Sequence, residues 1–242
     1  MPTVIDWNKY KNASLDEKIQ MLQEGAENGD ALCQFGYGYH LEKTDHDTAM
    51  HWFEESDKQG FLLASHALGF YSTGFKASSY LYTSAECGCT ASWLTLGCCY
   101  ENCDEMRDRF LAYQCYLNTV QWEYHDDMFK KMLCPIYSDE LWDALALNRA
   151  SCIATAQYLL GWLYIDASHV INDTKTGIEW LTKASENGNW KATYTLGYFY
   201  ANGSYNIKQD PEKAKRLLES LKNNVAKSEQ EKLQFALSLC NR

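Results

Sequence analysis

The stretches AQYLLGWLY at positions 156–164 and ATYTLGYFY at positions 192–200 share one pattern. Their glycines, Gly161 and Gly197, are 36 residues apart, and each follows a leucine and lies five residues after an alanine. The same pattern, a small residue five positions before a glycine that follows an apolar residue, returns at Gly36, Gly69 and Gly97. Five copies of one pattern predict an array of repeated structural units instead of a single central core.

A second glycine signature precedes the first and sets the register of the units. It consists of a small residue three positions before a glycine, with a looser copy at Gly60, and it ends at Gly29, Gly60, Gly88 and Gly188. The last three of these glycines lie nine residues before the next Leu-Gly glycine, whereas Gly29 lies only seven residues before Gly36. The spacing therefore predicts a fixed register in three units and a first unit that is two residues short.

Residues 188–221 give the clearest single unit, and they predict a helix hairpin. Ala192, Leu196 and Tyr200 recur at four-residue steps, which places them on one stripe of a first helix. Gly203 is expected to end this helix, and Asp210 followed by Pro211 is typical of the N-cap and first position of a second helix. Such a hairpin cannot bury both of its faces alone, so each unit is expected to stack on its neighbours.

These features resemble the Sel-one-like repeat, a relative of the tetratricopeptide repeat. The family's tyrosine, three residues after the glycine, is present in four units, although Ser72 replaces it in the second: Tyr39, Tyr100, Tyr164 and Tyr200. The resemblance implies an all-α fold, namely a right-handed α-solenoid (superhelix) of stacked helix-hairpin repeats with a C-terminal capping helix. It further implies an adaptor or scaffold and no catalytic residues.

The repeats divide the chain unevenly. Clear repeats cover about residues 26–120 and 150–221 of one predicted solenoid domain that spans 1–242. Residues 121–149 are either a degenerate repeat or an insertion, because no Leu-Gly pair occurs between Gly97 and Gly161. A capping helix is expected at 225–240, with Leu233, Leu237 and Cys240 on its apolar side.

The charge balance indicates which partners to expect. The chain has 22 basic and 32 acidic side chains and a formal net charge of −10. Because nucleic-acid affinity depends on clustered lysine and arginine, we expect no nucleic-acid binding and, instead, a protein partner that is basic. The sequence shows neither a secretory signal nor a membrane-spanning run, so we expect a cytoplasmic protein without membrane contact.

The ten cysteines are the main reason to consider other chemistry. Five of them fall between positions 87 and 103: Cys87, Cys89, Cys98, Cys99 and Cys103. Their spacing is poor for a zinc site, and regular disulfide pairs would place cysteines in every unit, which is not the case. We therefore expect helix-packing thiols, no metal and no cofactor.

Two sets of residues are candidates for partner binding. The first set follows the Leu-Gly glycines, where four of five residues are aromatic: Tyr37, Phe70, Trp162 and Tyr198, with Cys98 in the third unit. The second set is acidic and aromatic and lies in the segment 104–143 where the repeat is lost: Trp122, Tyr124, Asp126, Asp127 and Trp142. Exposed aromatic rows are binding anchors, but the same rings could instead form the core between repeats.

Three functions follow from these observations. The first is a non-catalytic scaffold or adaptor that binds a protein partner through its concave face. The second is a cytosolic immunity protein that neutralises a toxin effector by occluding it. The third, which rests only on the crowded cysteines, is a cysteine-dependent hydrolase or a metal protein.

Overall fold

The computed structural model describes residues 5–121, 149–166, 173–223 and 225–240, and every regular element in these ranges is a helix. Thirteen α-helices lie in this part of the chain, together with 3₁₀ helices at Ser204–Asn206 and Lys227–Glu229. The α-helices are α1 Trp7–Asn12, α2 Leu15–Glu27, α3 Ala31–Leu41, α4 His46–Asp57, α5 Leu62–Tyr71, α6 Gly74–Glu86, α7 Thr90–Asn102, α8 Arg109–Gln121, α9 Arg149–Ile165, α10 Thr174–Glu186, α11 Trp190–Asn202, α12 Pro211–Ser220 and α13 Gln230–Leu239.

The chain divides into two compact units. Among the described residues, the first unit holds α1 to α7 in residues 5–107, and the second holds α8 to α13 from residue 108 onward. Within each unit, consecutive helices pack against each other, and α13 packs on both α11 and α12. This stacking of sequence neighbours confirms the predicted all-α solenoid class. The extent of a single solenoid domain over 1–242 stays a prediction.

The small-x-x-glycine signature forms the turn between a second helix and the next first helix. Gly29, Gly60, Gly88 and Gly188 all have positive φ angles, between 79° and 109°. At the last of these turns, the Gly188 N–H donates to the Ser185 carbonyl at 3.0 Å, and the Asn189 N–H donates to the Ala184 carbonyl at 2.9 Å. This bonding closes the helix in a Schellman motif, which requires a residue without a Cβ penalty at positive φ.

The predicted hairpin in the last repeat is confirmed in detail. Gly203 ends α11 with φ 68°, and the Asp210 carboxylate accepts a hydrogen bond from the Lys213 N–H at 2.9 Å as the N-cap of α12. Pro211 occupies the first turn of α12, where its missing N–H costs nothing. Local side-chain chemistry therefore sets both ends of this connection.

The Leu-Gly glycines let the two helices of a hairpin approach closely. A Cβ added at Gly161 would lie 2.7 Å from Leu181 Cγ and 3.1 Å from the Gly177 carbonyl oxygen. A Cβ at Gly197 would likewise lie 2.7 Å from Leu218 Cγ. Each glycine thus faces a leucine and a backbone carbonyl of the partner helix, and any side chain there would separate the helices.

The register of the first unit differs by two residues from the sequence-based one. A Cβ at Gly38 would meet the Phe53 ring at 2.9 Å and the Ala49 carbonyl at 3.1 Å, which is the environment of the Leu-Gly glycines. Gly36, by contrast, faces only the methyl groups of Leu22. Gly38 also lies nine residues after Gly29, so the first unit is not short, and the residue that follows its glycine is Tyr39 instead of Tyr37.

The C-terminal helix is shorter than expected but has the expected role. It begins after the 3₁₀ turn and comprises α13, Gln230–Leu239, within the predicted range 225–240. Leu233, Ala236 and Leu239 are buried, while Leu237 and Cys240 are partly buried. Leu233 and Ala236 pack with Leu218 of α12, so α13 covers the end of the last repeat.

A chain of hydrogen bonds joins α5, α6 and α7 in the first unit. The Ser84 hydroxyl donates to the Leu62 carbonyl at 2.9 Å, and the Ser92 hydroxyl donates to Ser84 Oγ at 3.0 Å. His66 Nδ1 lies 2.8 Å from Ser92 Oγ. Because the Ser92 proton is directed at Ser84, His66 donates through Nδ1, and a neutral imidazole satisfies the chain.

Acidification should weaken the first unit through His66. Burial lowers the pKa of His66 to about 4 from its ordinary value of 6.5, so the unfolded chain takes up this proton at a higher pH than the folded chain. The stabilisation by neutral His66 is therefore complete above about pH 6.5 and decreases as the pH falls toward 4. Urea unfolding monitored by circular dichroism should show that acidification lowers the stability of His66→Gln less than that of the unmodified chain. Identical pH dependence in the two proteins would contradict this role.

Candidate partner-binding surface

The residues after the hairpin glycines have different environments in the two units. With the corrected register they are Tyr39, Phe70, Cys98, Trp162 and Tyr198. In the first unit, Phe70 is 61% exposed and Tyr39 is 36% exposed. In the second unit, Trp162 and Tyr198 are only partly exposed. The first unit therefore offers the more accessible part of this aromatic row.

Consecutive ring contacts, here called the ring ladder, connect Tyr39 to Phe70 through the helix core. Tyr39 stacks on Phe35 with ring centroids 6.5 Å apart, and Phe35 packs on Phe53 at 5.6 Å. Phe53 stacks on Tyr71 at 6.3 Å, and Tyr71 meets Phe70 edge-on at 5.1 Å. Because Phe35 and Phe53 are buried, the two exposed rings are anchored in a rigid core that spans α3, α4 and α5.

Carboxylates lie at the Tyr71 end of this ring ladder and at the start of α6. Burial and a hydrogen bond from the Tyr71 hydroxyl to the Glu42 carboxylate raise the pKa of Tyr71 above its ordinary value. The Glu105 carboxylate lies against Gly74, directly before the exposed Phe75, since a Cβ at Gly74 would be 2.8 Å from Glu105 Oε2. We call the set Tyr39, Glu42, Phe70, Tyr71 and Glu105 the acidic aromatic surface.

The loop after α11 covers Trp162 in the second unit. Tyr205 packs on Phe199 with ring centroids 4.8 Å apart and reaches Trp162 at 6.3 Å. To place its ring there, Tyr205 adopts φ 56°, and Asn206 follows with φ 60°, a left-handed conformation that is costly for residues with a side chain. Packing of the Tyr205 ring offsets this strain, and it reduces the exposure of Trp162.

Tyr198 is covered in a similar way by C-terminal elements. Its ring stacks on Tyr194 at 6.5 Å, and it packs against the clusters that contain Leu218, Leu233 and Leu239. Two of these three leucines belong to α13. The capping helix therefore covers part of the row in the last repeat.

The remaining predicted binding residues lie elsewhere. Tyr37 is partly buried against a cluster that includes Leu22 and Cys33, and it meets Trp52 edge-on at 5.9 Å. It belongs to the packing between helices and not to the row after the glycines. The second predicted set falls outside the described residues: Trp122, Tyr124, Asp126, Asp127 and Trp142.

The net charge is concentrated in the first unit. Residues 1–107 contain 16 acidic and 7 basic side chains, a net charge of −9. The described residues of the second unit contain 10 acidic and 12 basic side chains. The sequence pattern points to the acidic residues of 104–143 and not to this larger asymmetry, which charge counting detects once the boundary near residue 107 is known.

The crowded cysteines show no metal-binding arrangement in the part of the chain that the structure describes. Burial, and to a lesser degree the neighbouring Cys98 and Cys103, raise the pKa of the Cys99 thiol. Among the described residues, no group of three or more histidine, cysteine, aspartate or glutamate side chains could hold a metal ion. No disulfide joins two of the described cysteines.

None of the helices described by the structure combines the length and the hydrophobicity that crossing a bilayer requires.

Comparisons with known proteins agree with the repeat register. The Sel1 repeat family model matches residues 31–61, 154–189 and 190–222. The eighth residue of each matched segment is a hairpin glycine, namely Gly38, Gly161 and Gly197. The matches thus support the corrected position of the first repeat. No curated protein showed significant similarity to the chain.

Solved structures resemble the chain over most of its length. The crystal structure of a Sel1 repeat protein from Oxalobacter formigenes covers 91% of this chain and 84% of its own chain, with a TM-score of 0.66 and 21% identity. A putative Sel1 repeat protein from Klebsiella pneumoniae subsp. pneumoniae covers 93% and 99%, with a TM-score of 0.49 and 18% identity. A protective antigen from uropathogenic Escherichia coli strains, described as having an SLR fold, covers 93% and 56%, with a TM-score of 0.48 and 19% identity.

The three repeat matches and the fold shared with the Oxalobacter protein lead to one conclusion. The chain carries Sel1 repeats in both of its units and has the fold of a Sel1 repeat protein.

Proposed function

We propose that the protein is a non-catalytic scaffold that binds a basic protein partner through the residues that follow its hairpin glycines. The observation that carries this proposal is the exposure of Phe70, at 61%, in the position directly after Gly69. Sel1 repeat proteins generally serve as protein-interaction scaffolds. No metal or cofactor is part of the proposed function, and the proposed location is the cytoplasm.

Phe70 and Tyr39 are held in place before any partner binds. Tyr39 lies on α3 and stacks on the buried Phe35. Phe70 lies on α5 and meets Tyr71, which stacks on the buried Phe53. A partner that covers them removes apolar surface from water without first having to order a loop. Aromatic residues held in this way are the usual anchors of protein interfaces.

The partner is proposed to be basic because of the charge of the first unit. A net charge of −9 over residues 1–107 attracts cationic surfaces at long range and raises their association rate. The same partner is also proposed to contact the exposed parts of Trp162 and Tyr198. Its further proposed contacts are Trp122, Tyr124, Asp126, Asp127 and Trp142.

A cytosolic immunity protein that occludes a toxin effector is a second candidate function. The observation that favours it is the concentration of acidic side chains in one unit, since this unit could cover the active site of a basic enzyme. An immunity protein would bind one partner tightly and abolish its activity, whereas a general scaffold would bind without inhibition. Activity of the captured partner therefore distinguishes the two.

Replacing Phe70 with alanine should weaken partner capture by about tenfold or more, because an interface anchor commonly contributes about 2 kcal/mol. The test immobilises the protein, captures partners from a lysate of cells that naturally express it, and quantifies them by mass spectrometry. Phe235→Ala is the matched control, because Phe235 is 57% exposed but lies on α13 of the second unit. Equal capture by the original protein and both variants would refute the proposed site, provided that circular dichroism shows all three folded.

A further inference from the structure

We infer that the acidic aromatic surface binds arginine side chains of an extended basic segment in the partner. This inference rests on the proposed scaffold function and names the chemistry of its ligand. The surface combines exposed aromatic rings, packed helices that hold them, and carboxylates beside Tyr71 and Gly74. Each of these features restricts the occupant further than net charge alone.

The exposed aromatic rings favour partner side chains that bind to the face of a ring. Phe70 is largely exposed and Tyr39 is partly exposed, while Phe75, one residue after Gly74, is 74% exposed. The face of an aromatic ring carries negative electrostatic potential, so it attracts cations as well as apolar groups. An anionic segment would gain nothing here.

The carboxylates then favour a cation over a neutral apolar group. Glu42 accepts a hydrogen bond from the Tyr71 hydroxyl, and Glu105 lies against Gly74, three residues after Tyr71. A carboxylate has several acceptor sites, so Glu42 can accept from Tyr71 and still bind a ligand cation. Positions 31–75 contain six acidic side chains and only two basic ones, Lys43 and Lys58.

Arginine fits this combination better than lysine does. Its planar guanidinium stacks on an aromatic face and simultaneously offers two parallel N–H donors to a carboxylate. The lysine ammonium is a compact, strongly hydrated charge, and it loses more hydration against an apolar ring. A surface that holds exposed rings close to carboxylates is therefore expected to prefer arginine.

The segment that supplies these arginines is expected to be extended. Tyr39 and Phe70 belong to successive repeats, and the five-member surface runs from α3 across to the start of α6. An extended chain presents side chains to such a surface at regular intervals along its length. Because the surface is formed by helices that are already folded, only the segment loses conformational entropy on binding.

The test measures fluorescence anisotropy with a short fluorescein-labelled peptide in which arginines alternate with leucines. Matched peptides carry lysine or glutamine in place of arginine. At low ionic strength, the arginine peptide should bind about tenfold more tightly than the glutamine peptide and about threefold more tightly than the lysine peptide. Added salt should weaken the arginine peptide more than the glutamine peptide.

Variants locate the binding site on the protein. Phe70→Ala should weaken the arginine peptide by about tenfold, and Glu42→Gln by about threefold, since glutamine still accepts the Tyr71 hydroxyl but lacks the charge. The controls are Phe235→Ala and Glu231→Gln, which alter exposed residues of α13 in the second unit. These controls should leave the affinity unchanged within about twofold.

Three outcomes would overturn the inference. They are equal binding of the three peptides, arginine binding that Phe70→Ala leaves unchanged, and sedimentation that shows the protein pairing with a second copy through this surface. The inference can also fail while the proposed function holds. In that case, a captured partner would depend on Phe70 but the arginine peptide would not bind.

Discussion

Replacing Gly177 with alanine is expected to lower the free energy of unfolding of the second unit by about 3–4 kcal/mol, a loss at the upper end of overpacking effects. The new methyl group would lie 2.8 Å from the Gly161 carbonyl oxygen, and Ile165 Cγ1 would be closer still. Ile165 is buried, and a carbonyl inside a helix cannot move alone, so α9 and α10 must separate. The higher helix propensity of alanine, worth about 1 kcal/mol, offsets only part of this loss.

Gly188→Ala is the matched control for Gly177→Ala. Gly188 has φ 86° and no atom within 4 Å of an added Cβ, so alanine there meets conformational strain without a clash. That strain should cost about 1–2 kcal/mol. Urea unfolding monitored by circular dichroism compares the two variants. If Gly177→Ala were no more destabilising than Gly188→Ala, close approach of α9 and α10 at the paired glycines would be the wrong description.

Gly38→Ala should destabilise the first unit by about 2–3 kcal/mol, whereas Gly36→Ala should change its stability by less than about 1 kcal/mol. The two glycines lie two residues apart in α3, but they face different neighbours. A Cβ at Gly38 meets the ring of the buried Phe53 and the Ala49 carbonyl, while a Cβ at Gly36 meets only Leu22 methyl groups that can shift. This pair of variants therefore tests the register of the first repeat.

The urea midpoints of Gly36→Ala and Gly38→Ala show which glycine faces the next helix. If Gly36→Ala were the more damaging change, the sequence-based register would be right and Tyr37, instead of Tyr39, would belong to the row after the glycines. Measurement in the full chain requires a probe of the first unit. Exchange of backbone amides in α3 and α4 gives the local stability directly.

Much of the fold could be predicted because its signals are local. Asp210 and Pro211 start α12 through capping chemistry that involves neighbouring residues only. Gly188 and its equivalents close helices by adopting positive φ, which few other residues tolerate. The hairpin glycines were visible because the small-residue requirement recurs in every unit.

The register of the first unit could not be fixed in this way. Residues 35–38 read Phe-Gly-Tyr-Gly, so either glycine can be assigned to the hairpin position from the sequence alone. The choice depends on which glycine faces Phe53 and Ala49 of the next helix. This is a tertiary contact, and its sequence signal is the nine-residue spacing from Gly29 to Gly38, which matches the other units but competes with the Phe-Gly pattern at Gly36.

The exposure of the aromatic row also depends on tertiary contacts. Tyr205 covers Trp162 only because two consecutive non-glycine residues adopt positive φ, which sequence patterns do not predict. Tyr198 is covered because α13 packs across the last repeat. Phe70 has no comparable cover from the helices packed beside α5 and stays exposed. Equivalent repeat positions thus differ in exposure according to what packs over them.

We expect the acidic aromatic surface of the first unit to bind the partner's basic segment. Hydrogen–deuterium exchange of the full chain, with and without a saturating amount of the arginine peptide, measures where the peptide binds. Exchange should become slower in residues 36–42 and 68–76, with little change in α11 to α13. Protection confined to the second unit, or none at all with the peptide bound, would show that the segment does not bind this surface.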